Sequence, residues 1–422
     1  MMLAAIENQV ILQYGSMADT AARNACLIHG SSERRKSREV KEDGKLRKRL
    51  RNIKMAIVAS GPKRGLWKQI IVSVYILGLK AFTRYGKLER SINKVILKYR
   101  PELEGNTKEI RKLYREIMYC RFMYGILPKE YFIYRFDLLS HEGRLTFVTR
   151  SNKYYYYRKF NSKNYAEFLN SKTETIRKFG QFYHRDVLCV YDMNDFPAFC
   201  EFVKKHPRFI YKPAQDYGGH GIKIYNSELY ESLEDLFDLI LFNGASVCEE
   251  LIVQGEEIAQ FHRQSVNTVR IVTYRSDDGV AHPQWCFLRM GAGGSHTDNM
   301  SAGGISALID YETGIVCDCG RDYAGNRYVF HPDSGKQLVG FNVPKWDEVK
   351  SMIQQLANAL PQVRFVGWDL AYTDAGWVFV EGNARPQCVA PQITAFNGKL
   401  NTYKAMDAIF EADKAAREAK KA

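Results

Sequence analysis

The chain has 422 residues, 45% of them hydrophobic, which excludes a disordered protein and leaves room for two or three cores. Sixty-one Lys and Arg against forty-seven Asp and Glu give a formal charge of +14, which favours anionic partners: a nucleotide, a phosphorylated sugar, nucleic acid or an acidic membrane face. Charge alone does not choose among them.

The nine cysteines are odd in number, widely spread and without a C-x-x-C pair, the pattern of reduced thiols in a cytoplasmic protein. Cys317 and Cys319 form a single C-x-C, which reads as a pair of strand residues rather than half of a zinc site. The opening MMLAAIENQV lacks the basic, apolar and small-residue order of a signal peptide. Residues 31–54 are charge-rich and read as a linker or a solvated helix. The longest apolar run, Ile70 to Leu79, is about half of a membrane-spanning length. It reads either as a buried helix or, because Lys54, Lys63, Arg64, Lys68, Lys80 and Arg84 surround it, as a segment lying on the anionic inner face of a membrane.

From Arg84 to about Leu139 apolar residues recur at helical spacing: Leu88, Ile92, Val95 and Ile96, then Leu113, Ile117 and Tyr124. YYYYRKF, at 154–160, reads as a strand. Past residue 165 or so the rhythm changes to short β-rich runs broken by glycine. Strands are predicted at Phe209 to Lys212, Ile222 to Tyr225, Ser246 to Ile252, Thr268 to Tyr274, Trp285 to Met290, Phe365 to Tyr372 and Trp377 to Glu381. Two helices join them. One runs from Ser232 to Phe242, and the other follows Pro344 with Trp346, Val349, Ile353, Leu356 and Leu360 on one face. Hairpin-like spacings dominate, so the expected class is α+β with largely antiparallel sheets.

Three stretches carry chemistry. In FVGWDLAYTDAGWVFVEGN the turn at Thr373 to Gly376 lets Asp369 and Glu381 face each other across a hairpin, with Asn383 on the side of Glu381. Facing carboxylates repel unless a cation lies between them, and Asp, Glu and Asn make an all-oxygen set suited to Mg²⁺. The alternative is ordinary pairing of Asp369 with an arginine and Glu381 with a lysine. In FIYKPAQDYGGHGIKIY a strand delivers Lys212, and Gly218, Gly219 and Gly221 let backbone N–H groups approach a phosphate. A plain hairpin turn is the competing reading. In SVCEELIVQGEEIAQF an apolar strand runs into Glu249 or Glu250 for an adenine edge and Glu256 or Glu257 for ribose hydroxyls, or else into solvated glutamates.

Taken in order, Lys172, the Lys212 glycine loop, EELI, Asp369 and Glu381-x-Asn383 resemble the ATP-grasp superfamily. SVNTVRIVTYR, DNMSAGGISALIDYETG and EGNARP are similar to its members associated with sugar transfer and surface polysaccharide clusters, over roughly residues 120–410. The resemblance implies an ATP-grasp fold, two α+β subdomains clasping ATP, behind a helical basic N-terminal domain. The expected boundaries are a basic segment at 1–60, a helical domain at 61–164, the small lid subdomain at 165–255, the large subdomain at 256–412 and a charged tail at 413–422.

By the same resemblance, Lys172 and Lys212 bind ATP phosphates, Gly218, Gly219, His220 and Gly221 close over them, and Glu249 and Glu250 with the Ile252 backbone hold adenine. Glu256 or Glu257 meets the ribose. Asp369, Glu381 and Asn383 hold two Mg²⁺ ions. Many amide-forming relatives carry an arginine two positions before the metal aspartate, where this chain has Gly367, so Arg270, Arg289 and Arg385 are the candidate cations for the reacting oxyanion. The implied activity is carboxylate–amine ligation through an acylphosphate, on a sugar or glycan precursor. A kinase using the same ATP site, and a non-catalytic protein binding membrane or nucleic acid through its basic N-terminal region, are the alternatives. Nucleic acid is the least favoured partner, because every expected metal ligand is present.

Overall fold

Short apolar alternations become strands where a helix can cover one of their faces, and this chain supplies two such sheets. The computed structural model describes residues 61, 65–82, 85–214, 221–242, 244–394 and 397–421. Residues 31–54, Cys26, Gly218, Gly219 and His220 lie outside the described residues. The chain divides into two units, Met1–Ile71 and Val72–Ala422, and every described strand belongs to the second.

Helix α1 (Gly65–Phe82) carries the apolar run, but it is not a buried helix. Val72 is buried, whereas Leu66, Trp67, Ile70, Val74 and Leu77 are exposed. Among the described residues no helix is long and apolar enough to cross a membrane. Helices α2 (Tyr85–Tyr99) and α3 (Thr107–Tyr124) follow the helical spacing, with Ile92, Ile96 and Ile117 fully buried. The predicted strand at 154–160 is instead helix α4 (Arg150–Phe160). Two forces override the β preference of four tyrosines. The Thr149 N–H is capped by Asn152 Oδ1 at 2.8 Å, and helical spacing brings Tyr156, Tyr157 and Phe160 together against Phe365, Tyr274 and Tyr403.

After α5 (Lys172–Phe179), the first sheet comprises β1 (Val187–Val190), β2 (Arg208–Pro213), β3 (Lys223–Asn226) and β4 (Ser246–Glu250), in the order β1-β4-β2-β3. All neighbours are antiparallel. Helices α6 (Phe196–Lys205) and α7 (Leu233–Leu241) cover it, and Phe199, Leu236, Phe237 and Ile240 pack on Phe209 and Tyr211. Ser232 begins α7 as its sequence predicts, its hydroxyl accepting from Asp235 N–H at 3.1 Å.

The second sheet holds β5 (Thr268–Arg275), β6 (Ala281–Met290), β7 (Ile305–Leu308), β8 (Gly320–Arg321), β9 (Arg327–Tyr328), β10 (Phe365–Thr373) and β11 (Gly376–Asn383). Its order is β11-β10-β5-β6-β7-β8-β9, again antiparallel throughout. One face, with Ile271, Leu288, Trp368 and Leu370, packs on Val349, Ile353 and Leu356 of α8 (Trp346–Ala359). The other face packs Tyr274, Phe287 and Phe365 against α4 and against Tyr403 and Met406 of α9 (Leu400–Ala419). On this second face the rows Phe365, Gly367, Asp369 and Tyr274, Val272, Arg270 run side by side, so aromatic packing at one end gives way to charge at the other.

Asn161, just past α4, ties the aromatic end of that face to the segment that follows β11. It is buried, donates to the carbonyls of Phe365 and Ala384 at 2.8 Å, and accepts from Phe365 N–H at 2.8 Å. Asn161→Leu leaves three buried backbone groups without partners, and should lower unfolding stability in urea by roughly 2–4 kcal/mol, above the loss of a single exposed hydrogen bond.

Candidate functional site

Asp369 faces Arg270 on one neighbouring strand and Glu381 on the other. The second pairing depends on a bulge. Leu370 pairs with Phe379 and Asp369 with Glu381, so Val380 is an extra residue. Without it Asp369 would oppose position 380, and Glu381 would share the core face with Phe379. The bulge therefore turns Glu381 out beside Asp369 while Phe379 stays in the core.

Around Asp369 the charges alternate. Arg270 donates from Nε to Asp369 Oδ1 and from Nη2 to Oδ2, and reaches Glu381 Oε1 at 3.4 Å. Arg289 donates from Nη1 to Asp369 Oδ2 at 2.8 Å and from Nη2 to Asp298 Oδ1 at 3.1 Å. The Thr268 hydroxyl closes the chain on Asp298 Oδ2. Burial alone would raise the Asp369 carboxyl, but the guanidiniums of Arg270 and Arg289 hold it at about 2. Desolvation, and then repulsion from Asp369, push Glu381 and Asp298 upward. The side chain of Glu381 remains 59% exposed, which makes it the solvent-facing end of the row.

Gly367 accounts for the position of Arg270. A Cβ there would lie 3.0 Å from Pro386 Cβ and 3.3 Å from Arg270 Cδ. The arginine stem from the neighbouring strand fills the space that a side chain at 367 would enter. Asn383 sits opposite Gly367, its Oδ1 accepting from Arg385 N–H at 2.9 Å. Arg385 itself is exposed, and among the described ion pairs it takes none with Asp369 or Glu381. Asp369, Glu381 and Asn383 offer only oxygen donors, the chemistry that suits Mg²⁺, and here the Arg270 guanidinium supplies the positive charge between the two carboxylates. Among the described residues no group of three His, Cys, Asp or Glu forms a metal cluster, so the remaining ligands would come from substrate and water.

A family model described as sugar-transfer associated ATP-grasp matches residues 144–408. The chain belongs to the sugar-transfer associated ATP-grasp family. No curated protein matches it. Among solved structures it is similar to the ATP-grasp ligase PsnB complexed with minimal precursor, at 16% identity, over 59% of this chain and 63% of that chain, with a TM-score of 0.37. It is likewise similar to a D-alanine–D-alanine ligase from Bacillus anthracis complexed with ATP, at 14% identity, 62% of this chain, 71% of that one and a TM-score of 0.37. A third is the VanG D-Ala:D-Ser ligase from Enterococcus faecalis, at 12% identity, 59% and 64% coverage and a TM-score of 0.38. The chain thus spans just under two thirds of the length of the PsnB ligase.

The other residues of this ATP-grasp chain singled out in the sequence lie along the first sheet and the segment that follows it. Glu249 is buried on β4, and its carboxylate accepts from Lys212 Nζ at 2.7 Å and from Arg185 Nη2 at 2.6 Å. Burial opposes its ionisation, but those two cations outweigh it and lower its pKa. Its side chain therefore faces two cations rather than an open adenine edge. Glu250 Oε2 accepts from Asp186 N–H at 3.0 Å, and Ile252 lies in the irregular segment after β4. Glu256 and Glu257 head a short helix, where acidic side chains complement free N–H groups, and Glu256 pairs with Arg263. Lys172 opens α5 and donates from Nζ to the Pro213 carbonyl at 2.9 Å. Gly221, at a φ of 81°, leads into β3 in the left-handed conformation that glycine favours.

Sequence reading missed Arg185. Arg185 donates to Glu249 and also to the Phe379 carbonyl at 2.8 Å, tying the first sheet to the strand that bears Glu381. An arginine before a strand carries no sequence signal of that task. The loop that begins at Asp298 has few apolar residues to anchor it, and Arg289 and Thr268 hold it through the Asp298 carboxylate.

An unfolded aspartate titrates near ~4, and Asp369 titrates at about 2 in the folded chain. The stabilisation is therefore complete above the unfolded value and is lost as pH falls through the folded one. Asp369→Asn should be less stable than wild type by about 2–3 kcal/mol at neutral pH, with roughly half of that difference gone by about pH 3. Urea titrations of both proteins across that range measure it. A gap that does not change with pH would contradict the assignment.

Proposed function

We propose that the protein is an ATP- and Mg²⁺-dependent ligase that joins a carboxylate to an amine through an acylphosphate, with a sugar or glycan precursor as one partner. The observation that carries this reading is the row Glu381–Asp369–Arg270–Arg289 on one sheet face, with Arg270 filling the space beside Gly367. Asp369, Glu381 and Asn383 would hold the magnesium ions, and magnesium supplies neutralisation of charge on the ATP phosphates. Lys212 and Lys172 add positive charge for phosphate oxygens, and Arg185 keeps Glu249 paired when Lys212 turns to them. The backbone around Glu250 and Ile252 receives adenine, and Glu256 or Glu257 the ribose.

The carboxylate oxygen of the acceptor takes the γ-phosphoryl group as ADP leaves. The amine then attacks the acyl carbon, and inorganic phosphate departs. Arg270 and Arg289 stabilise the oxyanion that develops at that carbon. The family description supports the sugar-linked partner. The basic charge of the chain supports anionic substrates, and by the same argument a peripheral location at the inner face of a membrane.

Calorimetry of the full chain should show ATP binding that requires Mg²⁺, and Glu381→Ala should weaken it by at least ~10-fold, about 1.4 kcal/mol. ATP binding that ignores both magnesium and Glu381 would contradict the site. Once a carboxylate acceptor and its amine are found, Arg270→Ala should lower amide formation by roughly 10²-fold, as loss of an oxyanion donor does. A stable phosphorylated product that no amine consumes would mark the enzyme as a kinase instead.

A further inference from the structure

A cleft of about 320 Å³ opens beside the loop that carries Asp298, lined by Gln260, His262, Arg263, Gln264, Gly294 and Asp333 among others. His262 is 6% exposed, and its Nε2 has no hydrogen-bond partner among the described residues. Its Nδ1 lies 3.0 Å from Ser265 Oγ. A Cβ on Gly291 would come within 2.6 Å of that Nδ1 and 2.4 Å of Ser265 Oγ, so the ring is wedged in one orientation. Asp333 Oδ2 lies 3.7 Å from Nε2, too far for a hydrogen bond.

The walls are laced together. Gly293 N–H donates to Asp333 Oδ2 at 2.7 Å, Asp333 N–H donates to His331 Nδ1 at 3.3 Å, and His331 Nε2 donates to the Gly291 carbonyl at 2.8 Å. An unmatched nitrogen of a buried, immobilised ring calls for a partner that these residues do not supply.

The chemistry of that partner follows from what faces it. Burial keeps the His262 ring below its ordinary pKa, and so neutral near pH 7. The Asp333 carboxylate favours the tautomer with the proton on Nε2, with the Ser265 hydroxyl donating to Nδ1. The carboxylate repels an anion, the Arg263 guanidinium at the rim already pairs with Glu256, and a single carboxylate beside a neutral imidazole is a poor cation site. A hydroxyl satisfies both groups, accepting from Nε2–H while donating to Asp333. The Gln264 amide at the rim can serve neighbouring hydroxyls, whereas Gln260 Nε2 already donates to the Glu257 carbonyl at 2.7 Å and offers its side-chain oxygen. We propose that this cleft binds an uncharged polyhydroxy group of the carbohydrate class, with His262 and Asp333 sharing one hydroxyl. The cleft stands on its own geometry; only the ligand's role as part of the acceptor rests on the proposed ligase reading. Gly294 lines the cleft, and Asp298, four residues on in the same loop, meets Arg289.

Saturation-transfer NMR on the full chain, without nucleotide, tests it with methyl α-glucopyranoside, methyl α-galactopyranoside and N-acetylglucosamine, beside glucuronate and glucose 6-phosphate. At least one neutral sugar should give transfer that falls at least tenfold in Asp333→Ala and in Gln264→Ala. Gln264 is an exposed residue, so its truncation guards against misfolding as the cause. Transfer should persist in Glu381→Ala. Binding confined to the two anionic probes, transfer unchanged in both cleft variants, or no transfer from any neutral sugar would overturn the proposal. Mg²⁺-dependent ATP binding, measured separately, reports on the ligase reading alone: its absence beside intact sugar binding would remove that reading and leave the cleft.

Discussion

The structure depends on a buried carboxylate held between two guanidiniums. Asp369 lies in the middle of a sheet face whose far end is aromatic and closed, and an isolated charge there would carry a heavy desolvation penalty. Arg270 on the adjoining strand and Arg289 on the strand beyond it offset that penalty, and Asp298 and Glu381 complete the alternation at either end. Three carboxylates and two arginines leave one negative charge over. That residual negative charge lies in the row where a metal ion is proposed, which links the packing of the sheet to the chemistry proposed for it.

The same row dictates topology. β6, β5, β10 and β11 must lie side by side for their side chains to meet, although β5 and β10 are far apart in the chain. Antiparallel register then puts Arg270 against Asp369, and the bulge at Val380 puts Glu381 on the other side. Arg185 carries the arrangement to the first sheet, because one guanidinium holds both Glu249 of β4 and the Phe379 carbonyl of β11. Lys212 shares Glu249 with it, so the lysine proposed for phosphate is already neutralised and oriented.

Much of this is legible along the chain, and the failures are informative. The strands at Phe209, Thr268, Phe365 and Trp377 and the helices after Ser232 and Pro344 follow from alternation, helical period and capping, all local properties. YYYYRKF misleads because its aromatic content favours a strand, whereas the surfaces awaiting those rings, at Phe365 and Tyr403, reward a helix. The short strands β7, β8 and β9 escape notice because they hold four, two and two residues and take their stability from neighbours. The run at Ile70 to Leu79 proves helical, but its apolar content says nothing of how little of it is buried.

Sequence by itself determined the α+β class and, through its family resemblance, the residues proposed for the site: Asp369, Glu381, Asn383 and the Lys212 strand. Those rest on near-neighbour periodicity and on ordered motifs that survive without coordinates. Only tertiary structure decided that Arg270 stands in for a side chain at 367, that Glu249 faces two cations, that Asp298 anchors Arg289, and that one extra residue turns Glu381 outward. Each of these is a meeting of groups distant along the chain, or a one-residue shift of register, and the energy that selects it comes from desolvated charge that no local pattern encodes.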